Sequence, residues 1–170
     1  MAMARLILAS IAAMLASTAP APAGTLCAGI RAVVADAENG FDDLRGDRTD
    51  QKQSTVEPFY TIDYYAARGW PQGALTCYIE RRDEPTRDGR RYPNYYCEYP
   101  MHGTDKAAAL RKVADRIASC VKGAGRPTGA ALNKNGGMLS WDTKNANVHF
   151  SAFAGASNPN LRVLIQADNR

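Results

Sequence analysis

Two histidines, His102 and His149, are the chain's only side chains that ordinarily change charge near neutral pH, and each sits in a setting with definable chemistry. His102, in "PMHGT", precedes a helical stretch whose free backbone N–H groups could receive an anion. It reads more simply as a loop histidine beside a helix cap. His149, in "NVHFS", alternates with Val148 and Phe150, which turns it to the less apolar side of a strand, near Ser140 or Ser151 on the neighbouring arm. A serine nucleophile needs a sharp turn beneath it and an oxyanion hole beside it. No G-x-S-x-G or comparable elbow occurs. A small cell-envelope hydrolase using His102 or His149 is therefore the alternative reading, and no catalytic residue is assigned.

Cys27, Cys77, Cys97 and Cys120 form an even set. Zinc would require close ligand pairs such as C-x-x-C. The closest two cysteines, Cys77 and Cys97, have no histidine between them, so the sequence predicts cystines and no metal. Glycine-rich phosphate loops and dinucleotide fingerprints are absent, and no cofactor is expected. Asp42-Asp43 and Asp83-Glu84 are adjacent carboxylates that face different ways, and they read as solvated surface.

Recognition chemistry is better represented. Arg81, Arg82, Arg87, Arg90 and Arg91 surround Asp83, Glu84 and Asp88 and lead into "YPNYYCEYP". Guanidinium forks suit carboxylate and phosphate groups, and arginine beside tyrosine suits a protein or glycan surface. The plainer reading is a charged rim that keeps a sheet edge from pairing with other strands. Tyr78 and Tyr96 are the tyrosines that strand alternation turns away from the core, and they join the five arginines as candidate binding residues.

The elements that hold these residues follow from periodicity. "ALTCYIERR" and "NYYCEY" alternate, each with cysteine on its more apolar face. Pairing Cys77 with Cys97 sets Ile79 against Tyr95, Leu75 against Tyr99, Tyr78 against Tyr96 and Thr76 against Glu98. Faces then agree throughout. A tight turn at Asp88-Gly89 would set Ile79 against Glu98 and mix the faces, so the hairpin needs a long charged tip.

Thr25 caps a first helix with an apolar stripe of Ile30, Val33, Val34, Ala37, Phe41 and Leu44, ended near Gly46. "RGDRTDQKQSTVEP" then reads as a surface connection, and Phe59 to Tyr65 as a strand. A second helix runs from a cap at Thr104 or Asp105 to Gly123, its stripe made of Leu110, Val113, Ala114, Ile117 and Val121. "MLSWDT", "NVHFSAF" and "LRVLIQA" supply the last strands. Trp141 belongs to the first of these, and Trp70 stands in the Gly/Pro turn "RGWPQG".

The predicted order is helix, three strands, helix, three strands: an α+β fold whose antiparallel sheet carries both helices on one face. Cys27 opens one helix and Cys120 closes the other, so antiparallel helices favour Cys27–Cys120 and leave Cys77–Cys97 for the hairpin.

Residues 1–23 have the form of a cleaved signal peptide: Arg5, an apolar run from Leu6 to Ala16, and a cut after Ala21-Pro22-Ala23. That run is too short for a transmembrane anchor. Residues 24–170 remain as a single globular domain, with enough chain for a core. Cleavage removes Arg5 and lowers the formal charge from +4 to +3, too little to favour nucleic acid. The sequence therefore predicts an exported, periplasmic or secreted, non-enzymatic interaction module, of inhibitor, immunity or adaptor type, whose partner is an exported protein or envelope component.

Overall fold

The computed structural model describes residues 25–55, 59–83, 93–127, 132–143, 148–155 and 160–167. Two helices accompany one antiparallel sheet of seven strands. Helix α1 (Leu26–Asp36) starts at Thr25, whose hydroxyl accepts the Ala28 N–H, and α2 (Lys106–Cys120) starts at Asp105, whose carboxylate accepts the Ala108 N–H. The strands are β1 (Arg45–Gln53), β2 (Thr61–Ala67), β3 (Thr76–Arg82), β4 (Asn94–Pro100), β5 (Gly137–Asp142), β6 (Val148–Ala154) and β7 (Asn160–Ala167). Their spatial order is β1-β2-β3-β4-β7-β6-β5.

The first helix is shorter than its apolar spacing predicts. A 3-10 turn at Ala37–Asn39 and left-handed Gly40 end it. Asp36, itself buried, then accepts the N–H groups of Asp43 and Leu44 and folds the chain back. Phe41 is still fully buried, tilted against Tyr95 at 5.6 Å between ring centres, but it enters the core from the turn and not from a helical stripe.

The first part of the segment read as a connection, Arg45–Gln53, is strand β1, so the order is helix, four strands, helix, three strands. Most of β1 is exposed, leaving no apolar alternation to reveal it. Its ladder with β2, interrupted by register shifts between Arg45 and Asp50, makes it a strand. Gly46 is required here by a close approach: a Cβ would lie 2.8 Å from the Ala66 carbonyl oxygen. Its charges suit an edge position, where they discourage pairing with another chain.

Strands β3 and β4 pair with Cys77 opposite Cys97, Ile79 opposite Tyr95, Tyr78 opposite Tyr96 and Thr76 opposite Glu98. Leu75 falls just outside β3 and is exposed, so it does not face Tyr99 from within the strand. The Asp88-Gly89 turn and the rest of the hairpin tip, 84–92, lie outside the described residues.

One parity of side chains forms the core. Cys77, Ile79, Tyr95, Cys97, Val163, Ile165, Phe150, Ala152, Leu139 and Trp141 are buried together with Ile30 and Val33 of α1 and Leu110, Ala114 and Ile117 of α2. Disulfides join Cys27 to Cys120 and Cys77 to Cys97. The first ties the start of α1 to the end of α2 across 93 positions, and the second lies within one strand pair. Among the described residues, no helix is long and apolar enough to cross a membrane.

Candidate functional site

Alternation that buries one side of the sheet leaves the other partly accessible. Across β3, β4 and β7, that open face carries Tyr78, Tyr96 and Leu164 in one row. Tyr78 and Tyr96 stack with ring centres 5.0 Å apart and planes 18° from parallel. Tyr64 of β2 extends the cluster, tilted against Tyr78 at 6.0 Å, and the Lys52 ammonium lies 5.1 Å from the Tyr64 ring centre. Cation–π attraction favours that arrangement.

Two acid–base pairs bracket the tyrosines. On one side Glu80, only 6 % exposed, accepts Arg82 Nε at 2.7 Å and Asn94 Nδ2 at 3.3 Å. On the other, Glu98 accepts Arg162 Nε at 2.9 Å and Asn160 Nδ2 at 3.4 Å. Each carboxylate is thus satisfied, as burial in a sheet face requires. Burial chiefly raises the Tyr96 hydroxyl pKa to about 12, and Glu80 adds to the shift. Tyr64 and Tyr78 are raised for the same first reason. The aromatic cluster therefore stays neutral at physiological pH and presents hydroxyl groups and ring faces, without a nucleophile.

The predicted binding residues divide. Tyr78, Tyr96 and Arg82 share the open face. Arg81 has the opposite parity: its Nη2 donates to the Gly40 carbonyl at 3.0 Å and to Asp42 Oδ1 at 2.5 Å, clamping the turn after α1. Asp42 remains half exposed, as a surface carboxylate should, but it is paired, since Arg45 also reaches it at 3.1 Å. Arg87, Arg90 and Arg91 lie outside the described residues. Strand parity already places Glu80 and Glu98 beside these tyrosines, whereas Tyr64 and Arg162 escaped sequence reasoning. Tyr64 could have been found by its strand alternation, whereas Arg162 needed the pairing of β4 with β7, two strands separated by a helix and two others.

The histidines are far apart in the fold. His149 Nδ1 lies 2.5 Å from Asp142 Oδ1 on adjacent β5 and β6, both side chains at least half exposed. Ser140 and Ser151 face each other across the next row, Oγ to Oγ 3.2 Å. Two cavities open among the described residues: His149 lines neither, whereas His102 lines the smaller, beside α2. The larger cavity, about 530 Å³, is polar and bounded by Asp42, Asp63, Asp83, Arg81 and Arg82. No group of three or more His, Cys, Asp or Glu suited to a metal ion occurs among the described residues. Comparison with protein-family models, curated proteins and solved structures finds no match for this chain.

Proposed function

We propose that the chain is an exported, disulfide-bonded interaction module that binds a partner protein of the cell envelope through its open sheet face, acting as an inhibitor or immunity-type binder. The observation that carries this reading is the stacked Tyr78–Tyr96 pair held accessible between Glu80–Arg82 and Glu98–Arg162. Rigid tyrosines give large contact area at small entropic cost, and flanking arginines offer directed donors. The charged tip, with Arg87, Arg90 and Arg91, leads from the same hairpin and is assigned to the partner's acidic groups. Signal-peptide cleavage after Ala23 would deliver residues 24–170 to an oxidising periplasm, where two cystines are stable.

Affinity capture from periplasmic extract tests the reading, using native protein, Tyr78→Ser/Tyr96→Ser and Arg87→Glu/Arg90→Glu/Arg91→Glu. A partner recovered by the native chain should be lost with the tyrosine variant and weakened with the arginine variant, then reproduce both effects when purified. Identical capture by all three would refute the proposed surface. The exported protein should begin at Gly24 on N-terminal sequencing, and detection of residues 1–23 would overturn cleavage.

A hydrolase is the second reading, and the His149–Asp142 contact is what favours it. Histidine oriented by a carboxylate is one part of a nucleophilic site. Equal rates of p-nitrophenyl acetate hydrolysis by native protein and His149→Ala would leave that pair without a catalytic role.

A further inference from the structure

A cavity of about 280 Å³ opens between α2, the start of α1 and the ends of β4 and β7. Its floor is apolar, with Leu26, Val113, Ile117 and Leu161. His102, Lys112 and Arg116 supply its basic side chains, and no aspartate or glutamate lines it. Lys112 and Arg116 are one helical turn apart and exposed, and neither forms an ion pair among the described residues.

Tyr99 supplies an independent observation. It forms part of the cavity wall, is 6 % exposed, and its buried hydroxyl has no hydrogen-bond partner. Buried polar groups without partners are uncommon because leaving water uncompensated is costly. That hydroxyl has almost no accessible surface, so a ligand oxygen drawn against this wall would become its partner only as the ring edge is uncovered. The walls are covalently held, because Leu26 precedes Cys27, and Arg116 and Ile117 precede Cys120, the two ends of one disulfide. The cavity is therefore preformed, which reduces the entropy lost on binding.

We propose that this cavity binds a short amphipathic monocarboxylate, its chain on the apolar floor and its carboxylate toward Lys112, Arg116 and Tyr99. The volume lies just under the roughly 300 Å³ lower end of ordinary ligand pockets, so the chain is short and a whole lipid is too large. Positive side chains without matching acids select the anionic head, and charge-assisted hydrogen bonds hold it. This site is distinct from the open face: neither Tyr78 nor Tyr96 lines it.

The test is a titration of the exported, disulfide-intact protein with octanoate, followed by amide chemical shifts. Saturable shifts are expected at Val113, Arg116 and Leu161. Lys112→Glu/Arg116→Glu alters exposed side chains only and should weaken octanoate by at least about tenfold. Tyr99→Phe should weaken it severalfold, and Val113→Trp should block it by filling the cavity. Near-ultraviolet circular dichroism verifies that each variant is folded. Tyr78→Ser should leave octanoate binding unchanged, so failure here is distinguishable from failure of the open-face reading. Absence of saturable shifts, equal binding of octyltrimethylammonium, or undiminished binding by the folded double glutamate variant would each overturn the proposal.

Discussion

Two cross-strand aromatic pairs stack on opposite sides of one sheet. Tyr78 and Tyr96 lie 5.0 Å apart on the open face, whereas Trp141 and Phe150 lie 5.2 Å apart in the core, with planes 12° from parallel. Their geometry is nearly the same, and their surroundings are not. Trp141 and Phe150 are 4 % and 1 % exposed, enclosed with the helices' apolar residues. The tyrosines are partly accessible and ringed by carboxylate–guanidinium pairs. Stacking alone therefore does not mark a binding platform. What separates a structural pair from a candidate recognition pair is which side of the sheet the strand's period of two assigns it.

The same contrast divides the two disulfides, and here the largest effect is expected. Cys27–Cys120 spans 93 positions and joins the two helices, whereas Cys77–Cys97 spans 20 beneath the tyrosine face. Chain-entropy reasoning assigns about 4–5 kcal/mol to the first and about 3 kcal/mol to the second. Urea unfolding of Cys27→Ala/Cys120→Ala and Cys77→Ala/Cys97→Ala should rank them in that order. The reverse ranking would break the idea that the helix-to-helix bridge is the chief covalent support.

Phe150→Ala is expected to cost about 3–5 kcal/mol, from lost transfer energy and the cavity left behind. Below its lowered melting temperature, partner capture should be unaffected. Loss of capture by folded Phe150→Ala would show that the two sides of the sheet are coupled.

Alkaline titration sharpens the comparison, because the tyrosine pair can ionise and the Trp141–Phe150 pair cannot. The folded state holds Tyr96 at about 12, above the unfolded value of about 10. Its neutral form is thus favoured by folding. The associated stability is complete below pH 10 and is lost as pH rises through about 12, since the unfolded chain releases the proton first. Urea midpoints should fall across that window, less steeply in Tyr96→Phe. Buried Tyr95 and Tyr99 are raised in the same direction, so this variant should reduce the fall without removing it.

Tyr78→Ala has the smallest expected effect on stability, about 0.2–1 kcal/mol for a cross-strand pair. Capture of the partner should nevertheless be lost. A stability loss as large as that of Phe150→Ala would instead make the tyrosines structural.

Much of the sheet was legible where alternation was strong. "TCYIE" and "NYYCEY" separate buried Cys77, Ile79, Tyr95 and Cys97 from accessible Tyr78 and Tyr96 by parity alone, and agreement of faces selects their register. Strand β1 was not legible. Its residues are exposed and charged, so only the ladder with β2 reveals it. The first helix was overextended for a related reason: Phe41 and Leu44 continue the helical spacing in sequence, but left-handed Gly40 and the Asp36 carboxylate turn the backbone before them.

Arg81 and Arg82 make the division plain. Adjacent in sequence and alike in charge, they were one cluster on composition, yet consecutive strand residues face opposite ways: Arg81 grips Gly40 and Asp42, while Arg82 joins Glu80 beside the tyrosines.

The chain's own pattern determined which tyrosines oppose each other, because a strand's repeat is local and spans only a few residues. Only the tertiary structure decided that Arg162 meets Glu98, that Lys112 and Arg116 overhang an apolar cavity, and that Tyr99 closes its wall. Those contacts join elements tens of residues apart. Their partners follow from how helices and sheet pack together, which no local period encodes.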